Sequence, residues 1–231
     1  MKTILESMKD KNDKIQKKLK DRKLFNKIYV WEKDPVLDSV DIDKALEVVA
    51  QKMPKHYFTN VEGIYIGQFP ELIKRQLSAL YEDNAIYITN DVMDTTDLLQ
   101  NIVHEIAHAV EETLGDKIHN NQDLIYEFVV KREKLKEILG LNGFNTKTQN
   151  FVEIDFSEDF DEYLYQEIGY PVLNTLTTNL FVSPYGATCY REYFANGFEH
   201  FYLDDFTSVK KISPKLYALL SKIETLKYWR E

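Results

Sequence analysis

Apolar residues along this chain follow two different spacings. In three short stretches, apolar and aromatic residues run between polar or turn-forming neighbours, which is typical of short strands. These stretches are residues 27–32, 63–67 and 85–89. The last of them consists of Ala85, Ile86, Tyr87, Ile88 and Thr89. The pattern predicts a small sheet in the N-terminal part of the chain.

Elsewhere the apolar residues recur every three or four positions, which predicts amphipathic helices. The predicted helices cover residues 41–53, 69–81, 96–113, 121–139, 190–201 and 213–226. Gly140 and the Ser213-Pro214 pair are residue types that end and begin helices. Residues 144–188 are weakly patterned, and the sequence contains no internal repeat. The fold class predicted from this pattern is α+β, mostly helical, with the sheet on the N-terminal side.

Composition and charge exclude several classes of protein. The chain has 231 residues, 44% of them hydrophobic, and its formal net charge of −9 argues against a nucleic-acid binder. The single cysteine, Cys189, excludes an internal disulfide framework and cysteine-rich zinc modules. The longest uncharged stretch, residues 168–190, is too polar to span a membrane, and no apolar segment typical of a secretory signal follows Met1. We therefore expect a soluble protein that is cytoplasmic in the producing cell, or exported without a classical signal peptide.

Positive charge is concentrated in the first part of the chain. Residues 1–28 sum to +6, and the remaining 203 residues sum to −15. We interpret residues 1–28 as a basic helical extension resting on the body of the protein, with contact to an anionic partner as the alternative. Its thin apolar stripe consists of Ile4, Leu5, Met8, Ile15 and Leu19. Residues 29–231 are expected to form a single domain.

The helix predicted over residues 96–113 carries the sequence His104-Glu105-Ile106-Ala107-His108, an HExxH motif. Side chains four positions apart lie on one face of a helix, about 6 Å apart along its axis, so both imidazoles can bind one cation. Glu105 flanks that cation and can hold a water bound to it. The two histidines continue a polar stripe beside the apolar one, which predicts that the motif faces a cleft. A zinc site is therefore favoured over two unrelated surface histidines.

A catalytic zinc site needs a third protein ligand and keeps one position open. An extended motif with a third His ten positions after His104 is excluded, because Leu114 occupies that position. The spacing of the other histidines does not recommend any of them: His56, His119 and His200. Glu192 and Glu199, on the helix predicted at 190–201, remain as alternatives. Glu192 is better placed because it lies off the aromatic stripe of that helix.

Residues 183–195 read Ser-Pro-Tyr-Gly-Ala-Thr-Cys-Tyr-Arg-Glu-Tyr-Phe-Ala. This segment resembles the third-ligand segment of the anthrax lethal factor-like zinc metallopeptidases, which include the lethal factor catalytic domain and the clostridial Pro-Pro endopeptidases. In that family a Tyr-Gly pair stands seven residues before the ligand Glu, and an aromatic-aromatic-Ala sequence follows it, as in Tyr185-Gly186 and Glu192-Tyr193-Phe194-Ala195. The family's HExxH helix resembles residues 104–110, its upstream strand residues 85–89, and its closing helix residues 213–223.

The resemblance implies a zincin-like fold and one catalytic Zn²⁺ held by His104, His108 and Glu192. It also implies that Glu105 is the general base and Tyr185 the oxyanion donor in the hydrolysis of a peptide bond. An extended substrate is expected to pair with residues 85–89, taken as an edge strand. The resulting hypothesis is a zinc-dependent endopeptidase that acts on a protein or peptide substrate, with no nucleic-acid partner.

Two features depart from the family pattern. Asn196 stands where the family usually has an acid, four residues after the ligand Glu. The connector between His108 and Glu192 is also long, so that residues 121–182 look like an insertion that could form a lid or a substrate wall. The alternative hypothesis is a catalytically weak or inactive metallopeptidase-like protein with a binding or structural role.

The acidic stretch before the third-ligand segment has the alternating acids of a calcium loop, including Asp155, Asp159 and Asp161. However, Phe160 and Gln166 occupy the positions at which such a loop needs Gly and Glu. We therefore interpret this stretch as a helix with a solvated acidic face.

Overall fold

The computed structural model describes residues 22–226, which contain a five-stranded mixed sheet and twelve α-, π- and 3₁₀-helical segments. The α+β class and the small mixed sheet are therefore confirmed. The described residues group into two compact units, 22–109 and 110–226. Whether residues 29–231 act as one domain stays a prediction. The apolar stripe predicted between Ile4 and Leu19 lies outside the described residues.

The sheet lies in the first unit, and its order is β1-β2-β3-β5-β4. Its strands are β1 (Lys23–Leu24), β2 (Ile28–Glu32), β3 (Gly63–Ile66), β4 (Ala79–Glu82) and β5 (Ala85–Ile88). Strands β2, β3 and β5 are parallel, whereas β1 and β4 pair antiparallel with their neighbours. Because Lys23–Leu24 is a strand, the helical extension predicted over residues 1–28 is wrong for its last residues.

The two faces of the sheet differ in composition. One face is fully buried and aliphatic, with Ile64, Ile66, Ile86 and Ile88 at 0% exposure. On the other face Trp31, Tyr65 and Tyr87 stand in register across β2, β3 and β5, with ring centroids 6.1 and 5.4 Å apart. The buried face is the side on which the core of the first unit forms.

Two α-helices lie between the strands of the sheet along the chain. Helix α1 (Ile42–Lys52) begins at Asp41, whose side chain accepts a hydrogen bond from the backbone N–H of Lys44. Helix α2 (Pro70–Arg75) follows β3 and ends at Gln76, which has a left-handed backbone with φ of 53°. A short 3₁₀ helix, Lys55–Phe58, lies between α1 and β3.

The helix predicted over residues 69–81 is wrong after Arg75, because β4 occupies its last part. Strand β4 forms a hairpin with β5 through Asp83 and Asn84, which have φ of 49° and 62°. Two consecutive residues with positive φ form the tight turn that matches strand twist, and Asp and Asn adopt this conformation readily. The hairpin therefore forms in spite of the helical spacing of Leu72, Leu77 and Leu80.

Helix α3 (Thr95–His119) carries the HExxH motif and is longer than predicted. It begins after Asp94, whose Oδ1 accepts hydrogen bonds from the backbone N–H groups of Thr96 and Asp97 at 2.7 and 2.9 Å. Leu114 has a non-helical backbone, with φ of −108° and ψ of 16°, so the helix is kinked six residues beyond His108.

Helices are the only regular secondary structure in the described residues of the second unit. Its α-helices are α4 (Gln122–Leu141), α5 (Glu158–Glu162), α6 (Tyr170–Leu176), α7 (Tyr190–Leu203), α8 (Phe206–Ile212) and α9 (Pro214–Thr225). A π-helix, Tyr163–Ile168, joins α5 to α6, and a 3₁₀ turn, Pro184–Ala187, precedes α7. Gly140 does not end its helix as predicted, because α4 continues to Leu141 with Asn142 as C-cap. The spacing analysis also missed α8.

Helices α7 and α9 pack closely in this unit. A Cβ placed on Gly197 of α7 would lie 2.1 Å from Cδ2 of the fully buried Leu216 of α9. Glycine at this position therefore allows the two helices to approach. None of the helices between Arg22 and Leu226 combines the length and apolarity needed to cross a bilayer.

Candidate metal centre

His104 and His108 lie one turn apart on α3, with ring centroids 5.1 Å apart and ring planes at 77°. The helix is fixed locally by its apolar residues, since Ile102, Val103 and Ile106 are completely buried. His104 is half-buried, His108 is 8% exposed and Glu105 is 5% exposed. The motif is thus more deeply enclosed than a polar stripe on a helix surface would be.

Glu192 lies in the first turn of α7 and is half-buried. His104, His108 and Glu192 each offer one ligand atom, and the three atoms lie within 4.8 Å of one another. Ligand atoms on a tetrahedral zinc ion are about 3.4 Å apart, so a modest approach of these side chains is enough to bind one ion. Two imidazoles and one carboxylate are also a donor set that zinc accepts. The three residues therefore fit the metal that the motif predicts.

The other candidates from the sequence do not join this group. Among residues 22–226, no second group of three potential ligands meets the same distance limit, and Glu199, His56, His119 and His200 are not in the group found. The Nε2 of His119 instead lies 3.3 Å from Glu111, and the Nδ1 of His200 lies 2.6 Å from Asp204. The geometry therefore favours Glu192 over Glu199 as the third ligand.

Tyr185 lies in the 3₁₀ turn that precedes α7, and its side chain is 36% exposed. Desolvation, and then the negative charge of Glu192, raise the pKa of Tyr185 well above its usual range. The hydroxyl thus keeps its proton at neutral pH and is able to donate a hydrogen bond. Its position near Glu192 is compatible with the role that the resemblance implies.

The turn that carries Tyr185 is held by several hydrogen bonds. The carbonyl oxygen of Tyr185 accepts from the backbone N–H of Thr188 at 3.0 Å and from its hydroxyl at 2.9 Å. The next residue, Gly186, packs against α7, where an added Cβ would lie 3.6 Å from the Cβ of Asn196. These contacts fix the turn relative to the helix that carries Glu192.

Asn196 supports the same region from within α7. Its side-chain amide donates to the carbonyl oxygen of Glu192 at 2.8 Å, and its Oδ1 accepts a hydrogen bond from the hydroxyl of Ser183. Asn196 therefore links the backbone at Glu192 to Ser183, the residue directly before the 3₁₀ turn.

Arg132 of α4 is a buried residue near the candidate site that the sequence analysis missed. Its side chain is 1% exposed, and its guanidinium donates to the carbonyl oxygens of Ala187 and Thr188 at 2.9 and 3.0 Å. It also donates to the carbonyl oxygen of Asn150 at 3.1 Å and lies 3.7 Å from the ring centroid of Phe160. Desolvation by burial is the main effect on its pKa and lowers it to about 10. Arg132 thus anchors the chain between Tyr185 and Glu192.

A signal for Arg132 was present in the sequence. It takes a position on the apolar face of its helix, between Phe128 and Leu135, both of which are completely buried. Lys131, at 6% exposure, is buried beside it on the same helix. Charged residues on such a face indicate buried cations with specific partners. The predicted insertion over residues 121–182 therefore contributes internal support to the turn that carries Tyr185.

The prediction that residues 85–89 form an edge strand is wrong. Strand β5 pairs with β3 on one side and with β4 on the other, so its backbone groups are already used within the sheet. Among the described strands, β4 (Ala79–Glu82) is the one that stands at the outer edge on this side. An added peptide strand would have to pair with β4.

Comparison of the chain with protein-family models, with curated proteins and with solved structures gave no match. The resemblance to the lethal factor-like metallopeptidases therefore rests on the sequence motifs alone. The functional argument accordingly depends on the site itself, and above all on the grouping of His104, His108 and Glu192.

Proposed function

We propose that this protein is a zinc-dependent endopeptidase with a zincin-like fold. The observation that carries the proposal is the convergence of His104, His108 and Glu192, whose ligand atoms lie within 4.8 Å of one another. Two of these residues belong to an HExxH helix and the third comes from a helix 84 positions further along the chain, counted from His108 to Glu192. The HExxH motif and the third ligand thus come from separate parts of the chain and supply the three protein ligands that a catalytic zinc site needs.

The bound zinc ion would supply a Lewis acid and a water of lowered pKa. Glu105 directly follows the first histidine, where its carboxylate can take a proton from that water and later deliver it to the leaving amine. The largely enclosed position of Glu105, at 5% exposure, limits competition from bulk solvent. Glu105 is therefore proposed as general base and then general acid.

Tyr185 is proposed as the donor that stabilises the negative oxygen formed when the peptide carbonyl is attacked. Its raised pKa keeps the hydroxyl protonated, and its turn is fixed by Thr188, Gly186 and Arg132. A donor that is held in place before the reaction contributes more than a mobile one, commonly about 3–4 kcal/mol of transition-state stabilisation.

A peptide substrate is proposed to bind in extended form along β4. The sheet topology supports this, because β4 is antiparallel and lies at the edge next to β5. Backbone hydrogen bonds to an edge strand hold an extended peptide regardless of most of its sequence. This replaces the expected pairing with residues 85–89.

The test combines metal analysis with peptide cleavage. Purified protein is expected to hold one zinc per chain, and Glu105→Gln is expected to keep the zinc while losing at least a hundredfold in cleavage rate. Asp116→Asn, an exposed change on the same helix, serves as control and should leave both unchanged. Profiling of new protein N-termini in a proteome treated with each variant identifies the cleaved substrates.

Two outcomes would contradict the proposal. Cleavage that persists in Glu105→Gln would remove Glu105 as the base. Zinc that binds without any cleavage in the wild type would instead favour the alternative of an inactive binding or structural protein.

A further inference from the structure

Three tyrosines and one aspartate lie together beside the candidate metal ligand Glu192. The ring centroid of Tyr170 lies 6.0 Å from that of Tyr185 and 5.9 Å from that of Tyr165. The hydroxyl of Tyr170 donates to Oδ1 of Asp161 at 3.4 Å. We refer to Asp161, Tyr165, Tyr170 and Tyr185 as the Asp161 cluster.

The local backbone explains how residues so far apart in sequence meet. Asp161 is in α5, Tyr165 is in the π-helix that follows, and Tyr170 begins α6 after Gly169, whose φ is 81°. The positive φ of Gly169 ends the π-helix and lets the chain change direction before α6 begins. Single turns of π-helix occur frequently at functional sites because they displace side chains from regular helical positions.

The members of the Asp161 cluster are within electrostatic reach of Glu192. Burial raises the pKa of Asp161, the hydrogen bond from Tyr170 lowers it, and the charge of Glu192 raises it further. Glu192 also contributes to the raised pKa of Tyr170 and of Tyr185, after burial in both cases. The charge of Glu192 therefore reaches Asp161, Tyr170 and Tyr185, and the ring contacts join Tyr170 to Tyr185 in the turn that precedes the helix of Glu192.

Asp161 differs from the acids around it. Asp155 and Asp159 are exposed, whereas Asp161 is half-buried. Among the ion pairs of residues 22–226, none involves Asp161. The interpretation of this stretch as a solvated acidic face is therefore wrong for Asp161, whose carboxylate is partly desolvated without a cation beside it.

We propose that the Asp161 cluster is a substrate subsite that binds a positively charged side chain, lysine or arginine, close to the scissile peptide bond. The proposal rests on the proposed endopeptidase function, because it assigns the cluster to that substrate. Asp161 supplies the carboxylate, and the faces of the tyrosine rings attract the cation. Tyr165 is 61% exposed and Tyr185 is 36% exposed, so the rings are accessible to a substrate.

A desolvated carboxylate gains more from a cation than a solvated one does, because water competes less for the charge. The hydroxyl of Tyr170 orients the carboxylate through its hydrogen bond. Substrates with a neutral side chain at this position leave Asp161 without an ionic partner, which lowers their affinity. The Asp161 cluster is thus a specificity-determining element for a basic residue.

The experiment uses peptides that each carry one lysine at a different position in a neutral background, with matched peptides in which that lysine is ε-acetylated. Cleavage by the zinc-loaded wild type is measured beside Asp161→Asn and beside the exposed control Asp159→Asn. Binding of the same peptides is measured by fluorescence anisotropy with the zinc-loaded Glu105→Gln variant, which is expected not to cleave them. The measurement is repeated with Glu105→Gln combined with Asp161→Asn and with Asp159→Asn. Thermal unfolding confirms that each variant is folded.

We expect at least one lysine position at which the free amine improves kcat/KM and affinity about tenfold over the acetylated peptide. Asp161→Asn is expected to bring the ratio between the free and the acetylated peptide close to one, and Asp159→Asn should keep the wild-type ratio. Tyr170→Phe, which retains the ring, should weaken the preference by a smaller factor.

The outcomes separate the two proposals. A preference for free lysine that is equal in the wild type and in Asp161→Asn, or absent from both, overturns the subsite. The protein could also cleave none of the peptides and still bind the lysine peptides in a way that Asp161→Asn abolishes. That result supports the subsite and overturns the endopeptidase function.

Discussion

The Nε of Arg191 donates to Oε2 of Glu111 at 2.9 Å, joining the residue before Glu192 to the residue three positions after His108. Glu111 is 2% exposed, and its Oε1 lies 3.3 Å from the Nε2 of His119. The neighbouring Tyr190 adds a hydrogen bond from its hydroxyl to the carbonyl oxygen of Ile118 at 2.7 Å. The first turn of α7 is therefore tied to the last part of α3 by a buried acid and its two basic partners.

Removing the guanidinium from this pair is expected to destabilise the protein. Arg191→Met should lower the free energy of unfolding by about 2 kcal/mol, because it leaves the buried Glu111 with one fewer cation; the estimate allows for the exposure of Arg191. Urea unfolding measures the change. The exposed pair of Lys215 and Asp123, at 3.3 Å, is the control, and Lys215→Met should change stability by less than about 0.5 kcal/mol.

A double-mutant cycle tests whether the two residues act through each other. The combination of Arg191→Met with Glu111→Gln should be less destabilised than the sum of the single changes, since the unpaired buried charge is absent. Additive effects would show that the contact has no energetic importance. A weaker affinity for zinc in Arg191→Met would connect the pair to the position of Glu192.

Tyr185→Phe is expected to reduce kcat about 100-fold to 1,000-fold, because the proposed oxyanion loses one donor. The exposure of the ring predicts little change in unfolding temperature, and the zinc content should stay at one per chain. Tyr126→Phe, a change at a tyrosine that is 72% exposed, is the matched control. Full activity in Tyr185→Phe would remove this residue from the proposed mechanism.

Arg132 is expected to affect both stability and the geometry of the Tyr185 turn. Arg132→Met removes the donors to Ala187 and Thr188 and should lower the free energy of unfolding by about 3 kcal/mol, because buried carbonyl oxygens lose charged partners. Arg132→Lys retains the charge and should recover part of that loss. Chemical denaturation measures both variants, with the exposed Lys134→Met of the same helix as control.

If Arg132 positions Tyr185, the folded Arg132→Lys variant should lose kcat while its KM and zinc content stay near wild type. A misplaced donor weakens transition-state binding more than substrate binding. Unchanged kcat in a well-folded Arg132→Lys variant would limit Arg132 to a role in stability.

Two glycines on helices are expected to respond oppositely to alanine. Gly197→Ala should destabilise the protein by about 1–3 kcal/mol, because its Cβ would overlap the buried Leu216. At Gly115 an added Cβ would lie 3.5 Å from Cδ2 of His119, an ordinary contact, so Gly115→Ala should stabilise by up to about 1 kcal/mol. Thermal or urea unfolding compares the two. Equal effects would mean that Leu216 moves aside at little cost.

The helix that carries the motif could be predicted because its apolar residues and its histidines share one long, strictly periodic segment. The HExxH spacing fixes two ligands through helix geometry alone. Glu192 and Glu199 could not be separated in this way, since both lie on one short helix and only the packing of distant segments decides which approaches the histidines.

Other features depended on contacts that sequence spacing does not reveal. Leu72, Leu77 and Leu80 have helical spacing over residues 69–81, yet the left-handed backbone at Asp83 and Asn84 selects a hairpin. Arg132 lies among buried residues of its helix, and its partners are backbone carbonyls that no residue type identifies. The alternating acids do not separate Asp161 from its solvated neighbours, because its hydrogen-bond partner is Tyr170, nine positions further along the chain.

The short length of β4 has a consequence for handling the protein. A strand at the border of a sheet that can receive a peptide can equally receive the same strand from a second molecule, which favours aggregation at high concentration. Strand β4 spans only four residues, so such an association would gain few hydrogen bonds. The length of β4 therefore leaves an edge that a peptide can pair with, while it limits pairing between two copies of the protein.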